Sequence, residues 1–221
     1  MSVNINTFKV FTEFVSNKAQ SGNTISPSQF NAVSNRAQMQ VFEKDFETYL
    51  QTGDISEYLK TFLKNQTTMV PISGTFPYPS DWEHASSIRS YLVRPDGGST
   101  EVPVVEVKNS SWGAISTSQL QVPSKRFPKY SEFGNGIRFL PKSIGSVMID
   151  YFKTPVVPVW GFTTVSGRPV YDSSTSTDFE WDQFSFNNIA AVYLSLIGIN
   201  LKDSELSQFS EMYKQQTNST L

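Results

Sequence analysis

The chain contains no cysteine and a single histidine, His84, among its 221 residues. The first absence excludes disulfides, thiolate metal centres and thiol nucleophiles. The second excludes multi-histidine metal sites and leaves room for a Ser-His-Asp triad only if His84 supplies the base. Charge is sparse as well, with Asp, Glu, Lys and Arg at 17%, against roughly 25% in ordinary soluble domains. A net charge of −2 gives no general pull towards nucleic acid or anionic membrane. The longest apolar stretch, IAAVYLSLIGI at 189–199, is far short of the ~20 residues a membrane span needs. No basic segment followed by an apolar core stands near the start, so no targeting segment is expected and the chain is expected to stay soluble. Neither G-x-G-x-x-G nor G-x-x-x-x-G-K-[ST] occurs, and Gly134-Asn135-Gly136 reads as a turn between strands. With no G-x-S-x-G elbow either, no cofactor, no metal and no catalytic constellation is expected, and the chain is not expected to be an enzyme.

What fills the space is contact chemistry. Ser, Thr, Asn and Gln make up 74 residues, and aromatics reach 14%, led by 17 Phe. A chain so rich in aromatics and so close to neutral is not intrinsically disordered. The N-terminal third carries helical periodicity. Asn4 to Lys18 places Ile5, Phe8, Phe11 (or Thr12) and Val15 near one face and stops at Ser21-Gly22-Asn23. Ser26-Pro27-Ser28-Gln29 combines a capping box with a proline at the first helical position. The helix it starts spaces Phe30, Val33, Ala37, Val41, Phe42, Phe46 and Tyr49 by three and four and ends at Gly53. Asp54 and Glu57 offer a second cap pair, for a short helix with Tyr58, Leu59 and Phe62 on one side.

After Gln66 the signals turn to strands. Three hairpins are expected: Ile88–Arg94 with Val102–Lys108, Gly136–Leu140 with Ser146–Lys153, and Val159–Val165 with Arg168–Tyr171 across Ser166-Gly167. The stretch 109–135 reads as irregular. Helix returns over 185–197 and again over 203–215. The expected fold is α+β: N-terminal and C-terminal helices form a bundle, with a central antiparallel β-rich region. The expected divisions are a helical segment 1–66, a β-rich middle 67–172, and C-terminal helices 173–221 that pack on the N-terminal ones.

Two clusters carry potential chemistry. Asp178-Phe179-Glu180-Trp181-Asp182 sets three acids around two aromatics. Such acids can serve a glycosidase or a calcium site, but an acid group just before a helix also suits its N-terminus; the latter is the favoured reading. Lys125, Arg126, Lys129, Arg138 and Lys142 interleave with Phe127, Tyr130 and Phe133. That is a stacking-plus-charge pattern of the kind that tracks nucleic-acid backbones, tempered by Glu132 and the negative total. Lys125, Arg126 and Lys129 are the candidate DNA-facing cations. His84 follows Asp81-Trp82-Glu83 and reads as a loop or strand-edge histidine.

Taken in order, ISPSQFNAVSNRAQMQVFEKDFETYL (25–50), MIDYFKTPVVPVWGF (148–162), GRPVYD (167–172), DFEW (178–181) and IGINLKDSELSQFSEMY (197–213) form a recognisable set. The set resembles a family of small virion structural proteins from crAss-like podoviruses, encoded with the portal and tail genes, that serve as head-to-tail ring or connector proteins. The resemblance covers roughly the N-terminal quarter and C-terminal third and leaves 65–145 without a counterpart. It implies a homo-oligomeric ring, commonly of twelve copies, at the portal–tail junction. Its partners would be the portal, other ring and tail proteins, and passing genomic DNA bound without sequence specificity. It implies no membrane partner. Within that reading the interface candidates are the large aromatics Trp160, Phe162, Tyr171, Phe179 and Trp181, each of which could equally be core. The competing expectations are a tail-associated cell-wall hydrolase using Asp178, Glu180 or Asp182, and a packaged cargo or fibre-attachment protein.

Overall fold

A computed structural model describes residues 2–16, 25–94, 97–120, 122–134 and 136–200. The helix expected over 203–215, the stop at 21–23 and the turn residues Pro95 and Asp96 lie outside the described residues. In chain order the elements are α1 (Ile5–Ser16), α2 (Pro27–Thr52), α3 (Glu57–Lys60), β1 (Leu63–Met69), β2 (Trp82–Val93), β3 (Ser99–Pro103), β4 (Val105–Glu106), α4 (Asn109–Thr117), β5 (Lys129–Phe133), β6 (Gly136–Leu140), β7 (Val147–Lys153), β8 (Phe162–Val165), β9 (Arg168–Tyr171) and α5 (Phe186–Asn200). The fold is mixed α+β, with α1 and α2 packed on α5 and a central antiparallel sheet in the order β1-β7-β2-β3. Two compact units divide the chain: a helical unit, Met1–Thr61 with Pro155–Leu221, and a sheet unit, Phe62–Thr154. Residues 155–172, grouped by sequence with the strands, therefore cluster with the helices.

In the helical unit α2 starts where the capping box lies. Gln29 N–H donates to the Ser26 hydroxyl at 3.3 Å, and the Ser26 N–H donates to Gln29 Oε1 at 3.1 Å. Gly53, at φ +78°, closes α2 by donating its N–H to the Tyr49 carbonyl at 2.8 Å. The short α3 is capped by Ser56, whose hydroxyl accepts from Leu59 N–H at 3.1 Å, and not by Asp54 as the acid pair suggested. Phe8 stands at the centre of the core. Its ring meets Phe179 at 4.9 Å and Phe186 and Tyr193 at 5.5 Å, in edge-on contacts. Phe30 lies 6.3 Å from it, and Phe42, Trp181, Ile189 and Leu194 of the same unit are buried as well. α5 continues through Gly198 to Asn200, beyond the expected stop.

The sheet unit departs from the expected hairpins. β2 and β3 form the first in part: the returning strand is Ser99–Pro103 rather than Val102–Lys108, with Val93 opposite Ser99 and Arg89 opposite Pro103, and β4 pairs instead with β5 in the other sheet. The second does not form. β6 pairs with β5, and β7 pairs with β1 and β2 in the other sheet. The Pro141–Gly145 segment thus switches sheets instead of folding a strand back. β5 and α4 both lie in the stretch read as irregular, and β1 was hidden because LKNQTTM shows no apolar alternation. Asp150 compensates for that weak strand. Its carboxylate accepts from Gln66 N–H at the β1 bulge (2.8 Å), from the Ser87 hydroxyl (2.7 Å) and from Arg89 (2.6 Å). One acid on the middle strand so ties both neighbours. Behind the sheets Ile88, Ile137, Phe139, Val147, Ile149 and Tyr151 form the unit's core.

Candidate interaction surfaces

The third expected hairpin exists as β8–β9, with Ser166 (φ 50°) and Gly167 (φ 76°) at its turn. Two positive-φ residues in a two-residue loop match the right-handed twist of the strands. Every residue from Phe162 to Val170 is exposed, including Phe162 (45%), Val165 (56%) and Val170 (47%). An isolated two-stranded ribbon is marginal in water, so its base must hold it. There the backbone of Val159 pairs with Thr177, Asp172 N–H donates to the Gly161 carbonyl at 3.0 Å, and Gly161 N–H donates to the Ser176 hydroxyl at 2.9 Å. Asp172 turns the chain there, accepting from Ser174 N–H and hydroxyl and from Thr175; these hydrogen bonds, Ser174 first, hold its carboxyl below the usual range.

Trp160 anchors that base to the helices. Its indole N–H donates to Asn6 Oδ1 at 3.0 Å, and its backbone N–H donates to Asn31 Oδ1 at 2.8 Å. Lys9 Nζ lies 4.6 Å from the ring centroid, a cation–π contact. Phe162 stacks on Trp160 at 5.9 Å, and Tyr171 sits at 6.0 Å. The five aromatic candidates therefore separate. Trp160 (5% exposed), Phe179 (1%) and Trp181 (0%) are buried within the helical unit, and Phe162 and half-buried Tyr171 form the hairpin's outward apolar surface.

The acid cluster is engaged with backbone. Asp178 Oδ1 accepts from Ile5 N–H at 2.8 Å, at the first residue of α1. Glu180 accepts from Val156 N–H at 3.0 Å. Asp182 accepts from Phe184 and Ser185 N–H, capping the 3-10 turn Gln183–Ser185 that leads into α5. Sequence placed these acids at one helix start; the fold distributes them over two helix starts and the arm before the hairpin. Between them Phe179 and Trp181 point into the core, which period-two alternation in DFEWD could have revealed.

In the sheet unit Lys125 and Arg126 are exposed on the turn before β5, and Lys129 is half-buried on β5. Lys129 lies opposite Leu140, and Arg138 opposite Ser131, so both cations share one face of the β5–β6 pair. Glu132 lies on the other face, where burial and, secondarily, Glu106 push its carboxyl above the usual range. Of the two alternatives for His84, loop or strand edge, the strand holds: it sits near the start of β2, half-buried and opposite Phe152. No family model and no curated protein matches the chain.

Proposed function

We propose that this chain is a structural virion protein that assembles as a homo-oligomeric ring between portal and tail, extending the DNA channel and offering a platform for tail proteins. The observation that carries this reading is the β8–β9 hairpin, a firmly anchored ribbon with Phe162, Val165 and Val170 in water. Anchored, exposed apolar side chains on a strand edge are what a neighbouring subunit covers. The resemblance in the helical segments and in the 148–181 block supports the same reading. Phe162 and Tyr171 are the contact residues in it; Trp160, Phe179 and Trp181 hold the hairpin and core beneath. In this reading Lys125 and Arg126 meet passing DNA phosphates without reading bases. Asp178, Glu180 and Asp182 serve as structural acceptors.

Electron microscopy of virions labelled with antibody against this chain, read with its copy number, tests the proposal. Label at the portal–tail junction at about a dozen copies is expected for a closed ring. Label at the tail tip, or none despite good binding to the purified chain, refutes it. Within the ring reading, Phe162→Ser with Val170→Ser should keep the fold, with only a small fall in melting temperature from the lost Phe162–Trp160 stacking. It should weaken assembly on the order of 30-fold, the usual cost of losing an interface anchor.

A further inference from the structure

The sheet unit has a cleft of about 410 Å³ beside α4, lined by Thr75, Trp112, Ser116, Arg138, Leu140 and Lys142 among others. Its floor mixes apolar and hydroxyl groups, and its charge is all of one sign. Arg138 is preset: its guanidinium carbon lies 4.4 Å from the Phe133 ring centroid, and Trp112 meets the same ring edge-on at 5.7 Å. Neither Arg138 nor Lys142 has a carboxylate within ion-pair distance among the described residues. A stacked, unpaired guanidinium at the mouth of a concave site is ready for a carboxylate or phosphate.

Charge is divided unevenly between the two units. The sheet unit has ten Lys and Arg against seven Asp and Glu, net +3, and the helical unit has eight against thirteen, net −5. The acidic excess includes an exposed run at the end of α2, where Glu47, Leu50 (66% exposed) and Asp54 stand in water. Neither Glu47 nor Asp54 has a cation partner among the described residues. A leucine flanked by carboxylates matches a cleft that offers Trp112 and Leu140 beside two cations.

We infer that the Arg138–Lys142 cleft is a socket for the acidic end of α2, around Glu47, Leu50 and Asp54, from a second copy of this chain. Socket and plug are different patches, so the contact is head-to-tail and propagates from copy to copy until the rotation closes. The inference rests on the ring reading above and supplies it with a second contact, separate from the hairpin. Complementary charge of this kind sets register and partner choice more than raw affinity. A second copy fits better than nucleic acid because the cleft is concave and partly apolar. The surrounding unit is also only mildly positive, unlike the broad basic face that a DNA backbone requires.

Charge reversal on the full chain tests it, read by sedimentation velocity over a salt series. Arg138→Glu with Lys142→Glu, and separately Glu47→Lys with Asp54→Lys, should each weaken self-association by at least about tenfold. All four positions are exposed, so circular dichroism should be unchanged. Mixing the two variants restores opposite charges across every contact and should recover association. Three outcomes overturn the inference: a cleft variant that associates like the wild type, a mixture that stays dissociated, or a wild type with no salt-sensitive self-association. A cleft variant that loses binding to a fluorescent DNA duplex but still associates normally assigns the cleft to nucleic acid instead. The ring reading fails separately, through the virion label and copy number, and survives if only the charge reversal is silent.

Discussion

Asp45 offers the sharpest physical test of the helical unit. It lies on the stripe of α2 that carries Gln38, Val41, Phe42 and Phe46, all of them buried. Burial raises its carboxyl to about 6, against 3.8 unperturbed, with Lys44 partly opposing the rise. Its Oδ2 is enclosed and has no hydrogen-bond partner among the described residues. A folded value above the unfolded one means that the native state holds the proton more tightly. Stability from this group is therefore fully present below about pH 4 and is lost as pH rises through about 6. A rise of that size corresponds to roughly 3 kcal/mol at full strength, which partial solvent contact reduces to about 1–2 kcal/mol.

The substitution Asp45→Asn keeps the shape and removes the titration. Urea unfolding followed by far-ultraviolet circular dichroism at pH 4, 5, 6 and 7 reports on it, because α1, α2 and α5 dominate that signal and belong to one unit. The amide carries its own unsatisfied polar cost, so the absolute difference at one pH decides nothing. What decides is the slope. Relative to the wild type, the variant should gain about 1–2 kcal/mol between pH 4 and pH 7, because only the wild type must ionise a buried acid. Other titrating groups, Glu132 in the sheet unit included, cancel in the difference. A difference that stays flat across that range refutes the burial argument.

Two further perturbations probe the arm that holds the hairpin. A Cβ added at Gly161 would lie 2.2 Å from Thr175 Oγ1 and 2.5 Å from its backbone carbon, so Gly161→Ala should destabilise the chain by about 1–3 kcal/mol. Thr175→Ala in the same background should fail to rescue it, because the backbone clash remains; a full rescue in thermal melts would contradict this. Asp178→Ala removes the carboxylate at the first N–H of α1 and should cost about 1–2 kcal/mol, with Asp178→Asn retaining part of it. A melting temperature unchanged by the alanine would show that the contact contributes nothing.

Legibility from sequence followed locality. The capping box at Ser26, the glycine stop at 53 and the Ser166-Gly167 turn are read from neighbouring residues, and all three stand as expected. The partner of β6 is decided by distant residues. GIRFL and VMIDYFK both show strand character around a plausible turn, but their apolar faces enter two different sheets. Strand β1 is legible only through Asp150, which supplies from another strand the order that LKNQTTM does not supply itself. Buried Ser34 and Gln38 likewise break the apolar count along α2. Gln38 is there to donate to the Val156 carbonyl at 2.9 Å, a contact 118 positions away.

The aromatic candidates show the same limit at the surface. Trp160 and Phe162 are two residues apart, as are Phe179 and Trp181, and composition treats all four alike. One pair straddles the point where the chain leaves the helices for the hairpin; the other runs along a segment fixed on both sides. Val3 N–H donates to the Trp181 carbonyl at 3.0 Å and Phe179 N–H to the Val3 carbonyl at 3.2 Å, so that strand-like segment is bound to the N-terminus and its aromatics turn inward together. At Trp160 the pairing stops after Gly161, whose missing side chain lets Thr175 pass close behind it. From Phe162 onwards the ribbon pairs, among the described residues, only with itself. The boundary between core and exposed ribbon is thus set by one glycine and the turn opposite it. The aromatics on either side of that boundary, and not the aromatic count, separate buried rings from exposed ones.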